Sequence, residues 1–201
     1  MEKRILLAIP IAGLVMLAEA ADRLSCDGAA PLPVLLPRVA VFLALCIAVV
    51  LLSRYVGRLR LAAETDSLTG LGNRYRFDCL LASKRSGAVG VLYIDVDELK
   101  SINDRCGHAA GDALLRRLAE ILRTRSPEDS VCCRVGGDEF VVVVPNADEK
   151  ALAAIRRSIL AATLDEFSIG TAVGRFEELE SLVAKADAEL YKSKGEIYIS
   201  G

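Results

Sequence analysis

Two hundred and one residues with 53% hydrophobic side chains and a mean hydropathy of +0.37 are too apolar for an ordinary soluble domain, so membrane segments are expected. A formal net charge of −2 excludes nucleic-acid binding through a broad basic face, so nucleic acid is not an expected partner. Six cysteines make neither a disulfide framework nor a zinc site: Cys46 falls inside an apolar run, and Cys79, Cys106, Cys132 and Cys133 fall on the side that stays reduced.

Ile5 to Ala21 is a short apolar run behind Lys3 and Arg4, and Val34 to Leu52 is a longer one, interrupted by Arg38 and followed by Arg54, Arg58 and Arg60. The positive-inside rule then puts both ends in the cytoplasm. This predicts a two-helix transmembrane hairpin over residues 1–53, multi-pass in the cytoplasmic (inner) membrane, with the lipid bilayer as a partner. The loop Asp22 to Pro33 would face outward and is too short to bury a core or form a pocket. A basic start, an apolar stretch and Ala18-Glu19-Ala20 also match a signal peptide with its small-residue cleavage site; the second run would still deliver the remainder to the cytoplasm.

Ser53 to Thr65 (SRYVGRLRLAAET) reads as a short linker helix, 54–65 in the division of the chain, ahead of a cytoplasmic domain over 66–201. Within that domain the pattern predicts a helix near Tyr75 to Lys84, a strand Ala88 to Asp95 and a short helix from Glu98. An amphipathic helix Ala109 to Arg125 follows, with Leu114, Leu115, Leu118, Ile121 and Leu122 at helical spacing. Then come a hairpin, a helix near Asp148 to Leu160, a strand Phe167 to Val173, a helix Glu177 to Ser193 and a last strand Ile197 to Ser200. Strands mixed with helices around one hairpin indicate an α+β sandwich, helices against a mostly antiparallel sheet.

The hairpin, Val131 to Pro145, reads VCCRVGGDEFVVVVP. Val141 to Val144 is apolar without alternation, as in a strand buried on both faces, and Cys132 and Cys133 read as small buried strand residues. Gly136 and Gly137 can adopt the positive φ angles of a two-residue type I′ turn, which leaves Asp138 and Glu139 at the tip. Aspartate also favours turns for its own sake, and Asp95 by itself could cap the helix near Glu98. If the strand ending in Asp95 is the antiparallel neighbour of the one starting at Asp138, Asp95 faces Asp138 or Glu139. Clustered carboxylates repel one another unless a cation lies among them, and hard oxygen ligands select magnesium or a similar ion. Phosphoryl and nucleotidyl transfer use such a site.

In order and spacing, Asp66 to Phe77 (DSLTGLGNRYRF), Tyr93 to Asp112 (YIDVDELKSINDRCGHAAGD), Arg134 to Phe140 (RVGGDEF), Ser168 to Gly170 (SIG) and Ala186 to Lys194 (ADAELYKSK) resemble the GGDEF family of diguanylate cyclases. The resemblance implies a palm-like, nucleotidyl cyclase-like domain that binds one GTP. Two such domains, as a homodimer, would join two GTP into cyclic di-GMP and release two pyrophosphates, with Mg2+ or Mn2+ as cofactor. Carried over by position, Asp95 and Asp138 look like metal ligands, with the backbone carbonyl of Val96. Glu139 looks like a further ligand or the proton acceptor for the attacking ribose hydroxyl, and those two roles stay undivided between Asp138 and Glu139. Gly136 and Gly137 would leave room for the triphosphate, while Lys100 and Lys194 stand where the family meets phosphate charge. Both lysines, Lys194 above all, also fit ordinary solvated surface charges. Asn103 and Asp112, with His108 nearby, would read guanine: a carboxylate accepts from the N1 and N2 hydrogens, a donor pair adenine lacks. His108 also fits a plain helix-start residue, and Arg74 a structural tie between the domain's start and the sheet.

The chain departs from the family pattern in places. The arginine of the family's Arg-x-x-Asp inhibitory site falls on Pro127 and its acid on Ser130, so no product inhibition through that site is expected. The Gly-Arg-Asn after the last helix is missing, since Lys194 is followed by Gly195, Glu196, Ile197 and Tyr198, and a phosphate-contacting arginine goes with it. Leu99 replaces the usual phenylalanine. A non-catalytic module that binds GTP or a protein partner is the rival expectation, and a protein whose membrane part is the functional one is a third.

Overall fold

The computed structural model describes residues 32–163 and 167–199 and divides the chain into two compact units, Met1–Leu61 and Ala62–Gly201. Helix α1, Leu32–Glu64, supplies all the described residues of the first unit. Its apolar side chains are exposed along its length, Leu36, Val41, Leu45, Ile47, Leu51 and Leu52 among them. Among the described residues this is the one helix long and apolar enough to cross a membrane, over Leu36–Glu64. The expected first span, Ile5 to Ala21, lies outside the described residues, as do residues 22–31 of the expected outward loop; a two-helix hairpin is not what the described residues form. The linker stretch is helical as expected, and Ser53 to Glu64 runs on from α1 without a break. Extending an existing helix through leucine, arginine and alanine costs no new nucleation, so the change from apolar to basic composition does not break it.

The second unit runs α2 (Arg74–Leu81), β1 (Ala88–Val96), α3 (Leu99–Cys106), α4 (His108–Arg125), β2 (Val131–Arg134), β3 (Glu139–Pro145), α5 (Glu149–Leu160), β4 (Phe167–Arg175), a 3-10 turn (Phe176–Glu178) and α6 (Leu179–Ile199). The four strands form one antiparallel sheet in the order β2-β3-β1-β4, so the α+β expectation holds. One expected strand does not form: Ile197 to Ile199 continue α6, and Ser200 lies outside the described residues. The β-prone Ile-Tyr-Ile run is too short to outweigh the helix it extends.

Both faces of the central strands are covered. Leu92, Ile94 and Val96 of β1 with Phe140, Val142 and Val144 of β3 pack under α4 and α5, against Leu114, Leu118, Leu122, Leu152 and Ile159. The alternate residues, Val89, Val91, Val141 and Val143, pack under α2 and α6, against Phe77, Leu80, Leu179, Leu182 and Ala186. This two-sided burial is why Val141 to Val144 shows no polar alternation. Cys133 belongs to the second core, and burial pushes its thiol up to about 12, which leaves it an inert packing residue.

Asn73 joins the start of the unit to its first helix. Its side-chain amide donates to the Ala63 carbonyl at 2.7 Å, and its carbonyl oxygen accepts from Arg76 N at 3.0 Å as the N-cap of α2. Arg74, expected to tie the domain's start to the sheet, pairs instead with Asp78 one turn along α2 at 3.2 Å, in the open. An arginine at the first helical position points along its own helix, whereas a cap residue has the neighbouring backbone within reach.

Candidate active site

The hairpin between β2 and β3 differs from the expected two-residue turn. Arg134 pairs with Phe140 in register, and Val135 N donates to Glu139 O at 2.9 Å, which leaves Gly136, Gly137 and Asp138 as the loop. Neither loop glycine has positive φ, so no type I′ turn forms. The loop is held from its flank: the Arg134 guanidinium donates to the Gly137 carbonyl at 3.2 and 2.6 Å. Arg134 is in turn braced by Asp66, at 3.4 Å, whose carboxylate also accepts from the Thr69 amide at 2.9 Å and the Thr69 hydroxyl at 2.6 Å. Partial burial pushes the Asp66 carboxyl up, but the Thr69 donors and the Arg134 charge outweigh it and hold it below the usual carboxylate range.

The sheet delivers the acids as the strand argument expects. In the β1–β3 ladder Asp95 stands opposite Glu139, and Val96 N donates to Asp138 O at 3.1 Å, so β1 ends beside the loop. Gly136 leaves room for the Glu139 side chain, because a Cβ there would come within 2.2 Å of Glu139 Oε2. A Cβ on Gly137 would meet nothing within 4 Å. The Tyr93 hydroxyl donates to Glu139 Oε1 at 3.0 Å and fixes that carboxylate; burial and the Glu139 charge push the phenol well above its ordinary range.

Lys194, on α6, reaches back across the sheet. Its ammonium pairs with Asp95 and lies 3.1 Å from Asp97 Oδ1, while the buried Ser168 hydroxyl donates to both Asp97 oxygens at 2.9 Å. Burial pushes the Asp95 carboxyl above the usual range; Asp138 and Asp97 add to the rise, and Lys194 offsets only part of it. The Lys194 ammonium is raised, since the two acids outweigh its own partial burial. The gain is unequal: the lysine has two carboxylates, while Asp95 has acids on either side of it.

Among the described residues no group of three or more acidic, histidine or cysteine side chains is placed to hold a metal ion. Glu139 is drawn to Tyr93 and Asp95 to Lys194, as expected of acids that would otherwise repel. The donor chemistry nevertheless suits a hard cation, because carboxylate oxygens are hard donors and a cationic group, the Lys194 ammonium, already lies against Asp95 and Asp97.

The remaining expected residues lie on α3 and α4. Lys100 is exposed and lines a shallow groove with Glu98, Ser101, Asp104 and Arg105. The Asn103 carbonyl oxygen is buried with no hydrogen-bond partner, against Gly111, where a Cβ would come within 2.1 Å of it. Asp112 meets only a loose surface partner, Arg116 at 3.5 Å, and His108 is exposed as the first residue of α4. Tyr93, Asp97, Ser168 and the Asp66–Arg134 brace were not singled out from sequence. Ser168 lies opposite Asp95 in the β1–β4 register.

The family described as "Diguanylate cyclase, GGDEF domain" matches residues 63–197. Diguanylate cyclase DgcS of Shewanella oneidensis is 33% identical over 147 residues, covering 66% of this chain and 50% of that protein. Cyclic di-GMP phosphodiesterase PdeR of Escherichia coli is 41% identical over 117 residues, covering 56% of this chain and 18% of that protein. These matches thus span half or less of the relatives' own length. Among solved structures, the coiled coil and GGDEF domain of DgcB from Caulobacter crescentus, in complex with c-di-GMP, is similar with TM-score 0.66 and 26% identity, covering 81% of this chain and 95% of that chain. With Asp95 set against the Gly136–Phe140 segment and the family match running through the whole antiparallel sheet, the chain belongs to the GGDEF family of diguanylate cyclase domains.

Proposed function

We propose that this chain is a membrane-anchored diguanylate cyclase in which two copies, each holding one GTP, meet and join the nucleotides into cyclic di-GMP, releasing two pyrophosphates. The observation that carries this reading is the antiparallel register that sets Asp95 opposite Glu139, with Asp138 in the adjoining loop and Lys194 against Asp95. In each of two steps the 3′-oxygen of one ribose bonds to the α-phosphorus of the other GTP, and the bond from that phosphorus to the bridging oxygen breaks. The electron pair leaves with pyrophosphate, and the hydroxyl proton passes to Asp138 or Glu139 and then to solvent. Asp95, the Val96 carbonyl, Asp138 and Glu139 would hold Mg2+ or Mn2+, whose charge, when bound, offsets that of the triphosphate.

Lys100 and Lys194 bring positive charge to the phosphates. Gly137 has open space where a side chain would stand, so its bareness serves an approaching phosphate rather than the fold. The orphaned Asn103 oxygen and the loosely held Asp112 carboxylate are two acceptors for the N1 and N2 hydrogens of guanine, with His108 beside them. An adenine would leave a buried acceptor unpaired, which costs about 1–3 kcal/mol. The apolar, outward-facing surface of α1 supports lipid as the anchor's partner. With Pro127 and Ser130 at the positions of the inhibitory pair, no product inhibition through that site is expected.

A second reading, a catalytically weak or inactive module that holds GTP or a protein partner, draws on the Lys194–Asp95 pairing and on the missing arginine after Lys194. Incubating the full chain in detergent with GTP and Mg2+, beside Asp95→Ala, and assaying cyclic di-GMP by mass spectrometry separates the two. Product lost in the variant supports the cyclase. GTP binding without product leaves the module.

A further inference from the structure

We infer that Ser168, Gly170 and Asp97 are positioning residues for Lys194, fixing its ammonium at the place where substrate phosphates arrive; this rests on reading Lys194 as a phosphate contact. A Cβ on Gly170 would stand 1.9 Å from the Ala186 carbonyl oxygen and 2.6 Å from Leu190 N, so the backbone of α6 lies directly on the strand there. Ala186, Leu190 and Lys194 recur at four-residue intervals and share one helix face. Seating Ala186 and Leu190 on Gly170 therefore sets where Lys194 leaves the helix. Both anchors are buried, Ala186 fully and Leu190 at 4% exposure.

The same strand fixes the far end of the lysine. Two residues before Gly170, Ser168 is only 6% exposed and spends its single hydroxyl proton on Asp97, 2.9 Å from each carboxylate oxygen. Asp97 then meets Lys194 at 3.1 Å. A lysine carries four rotatable carbons, and a free one would lose about 2 kcal/mol of rotamer entropy on being held. Ordering it beforehand removes much of that cost from substrate binding. Asp97 is not among the acids carried over as cation ligands, so it can keep its hold on Lys194 when Asp95 is engaged elsewhere.

The test uses the full chain in detergent and the affinity for a non-hydrolysable GTP analogue with an α,β-methylene bridge, read by calorimetry with Mg2+ present, so that it does not depend on turnover. Ser168→Ala and Asp97→Asn are each expected to weaken binding roughly three- to tenfold, a share of what a hydrogen bond to a charged group contributes. In a Lys194→Met background neither should weaken it further, because they act through Lys194. Melting temperatures identify a variant that fails to fold; if Ser168→Ala does so, Asp97→Asn decides. Folded variants that bind like the parent overturn the inference, and so does a loss that persists in full without Lys194. If Lys194→Met alone leaves affinity unchanged, the phosphate reading of Lys194 fails, and the inference falls with it.

Discussion

Replacing Gly170 with alanine puts the seating of α6 to a direct trial. The added methyl would stand 1.9 Å from the Ala186 carbonyl oxygen, where real Cβ contacts essentially never come under 3.0 Å, so helix and strand must part by about 1.1 Å, the difference of the two. Nothing nearby yields cheaply, because the obstacles are the Ala186 carbonyl and the Leu190 amide, both backbone. Overpacking of this kind costs about 1–3 kcal/mol, and a backbone obstacle belongs at the upper end. For a unit of this size about 3 kcal/mol lowers the melting temperature by roughly 10 °C. The parting also lifts Lys194 from Asp97, so nucleotide affinity falls along with stability. Circular dichroism melts of the full chain in detergent, beside analogue binding at a temperature where both proteins are folded, read the two effects. A Gly170→Ala protein that melts within about 1 °C of the parent and binds equally well would refute the close approach of α6 to β4.

Gly137→Ala should behave in the opposite way: with nothing within 4 Å of the new methyl and no positive φ to strain, stability should stay within about 0.5 kcal/mol while cyclic di-GMP production falls sharply, compared by melting and turnover on one preparation. Asp66→Asn removes the charge that braces Arg134 and accepts from Thr69, and should cost about 1–2 kcal/mol at neutral pH. Because the folded Asp66 carboxyl lies below its unfolded value near 3.9, its contribution is complete above about pH 4 and is lost as pH falls through the folded value. The stability gap between parent and variant should therefore be flat from about pH 6 to 8 and shrink in acid; a gap that widens on acidification would contradict the brace.

The sheet was readable because strand burial writes itself into sequence. Val141 to Val144 reads as a strand covered on both faces, and if β1 is its antiparallel neighbour Asp95 faces Asp138 or Glu139; the ladder sets it opposite Glu139. The turn was not readable in the same way. Two glycines permit a type I′ turn without requiring it, and the Arg134 guanidinium on the Gly137 carbonyl belongs to a three-residue loop instead. The last strand was misjudged because composition changes at Ile197, but a helix already formed continues through it. Arg74 drew attention by its charge, while the neighbouring Asn73 does the joining, and an asparagine directly before a helix was the available sign. Asp97 and Ser168 escaped notice because their partnership spans strand ends distant in sequence and depends on the β1–β4 register. Lys194, taken from the motif alone, proved to have a defined place between Asp95 and Asp97.

The most direct test of the account is the stoichiometry of the reaction itself. The purified chain, supplied with GTP and Mg2+, is followed for cyclic di-GMP and pyrophosphate together, with Asp138→Ala beside it. The account predicts two pyrophosphates for each cyclic di-GMP, and no product from the variant, whose melting temperature should match that of the parent. Folded protein that binds GTP and makes no cyclic di-GMP, or a variant that makes it at the parent's rate, would contradict the assignment of nucleotidyl transfer to the hairpin tip.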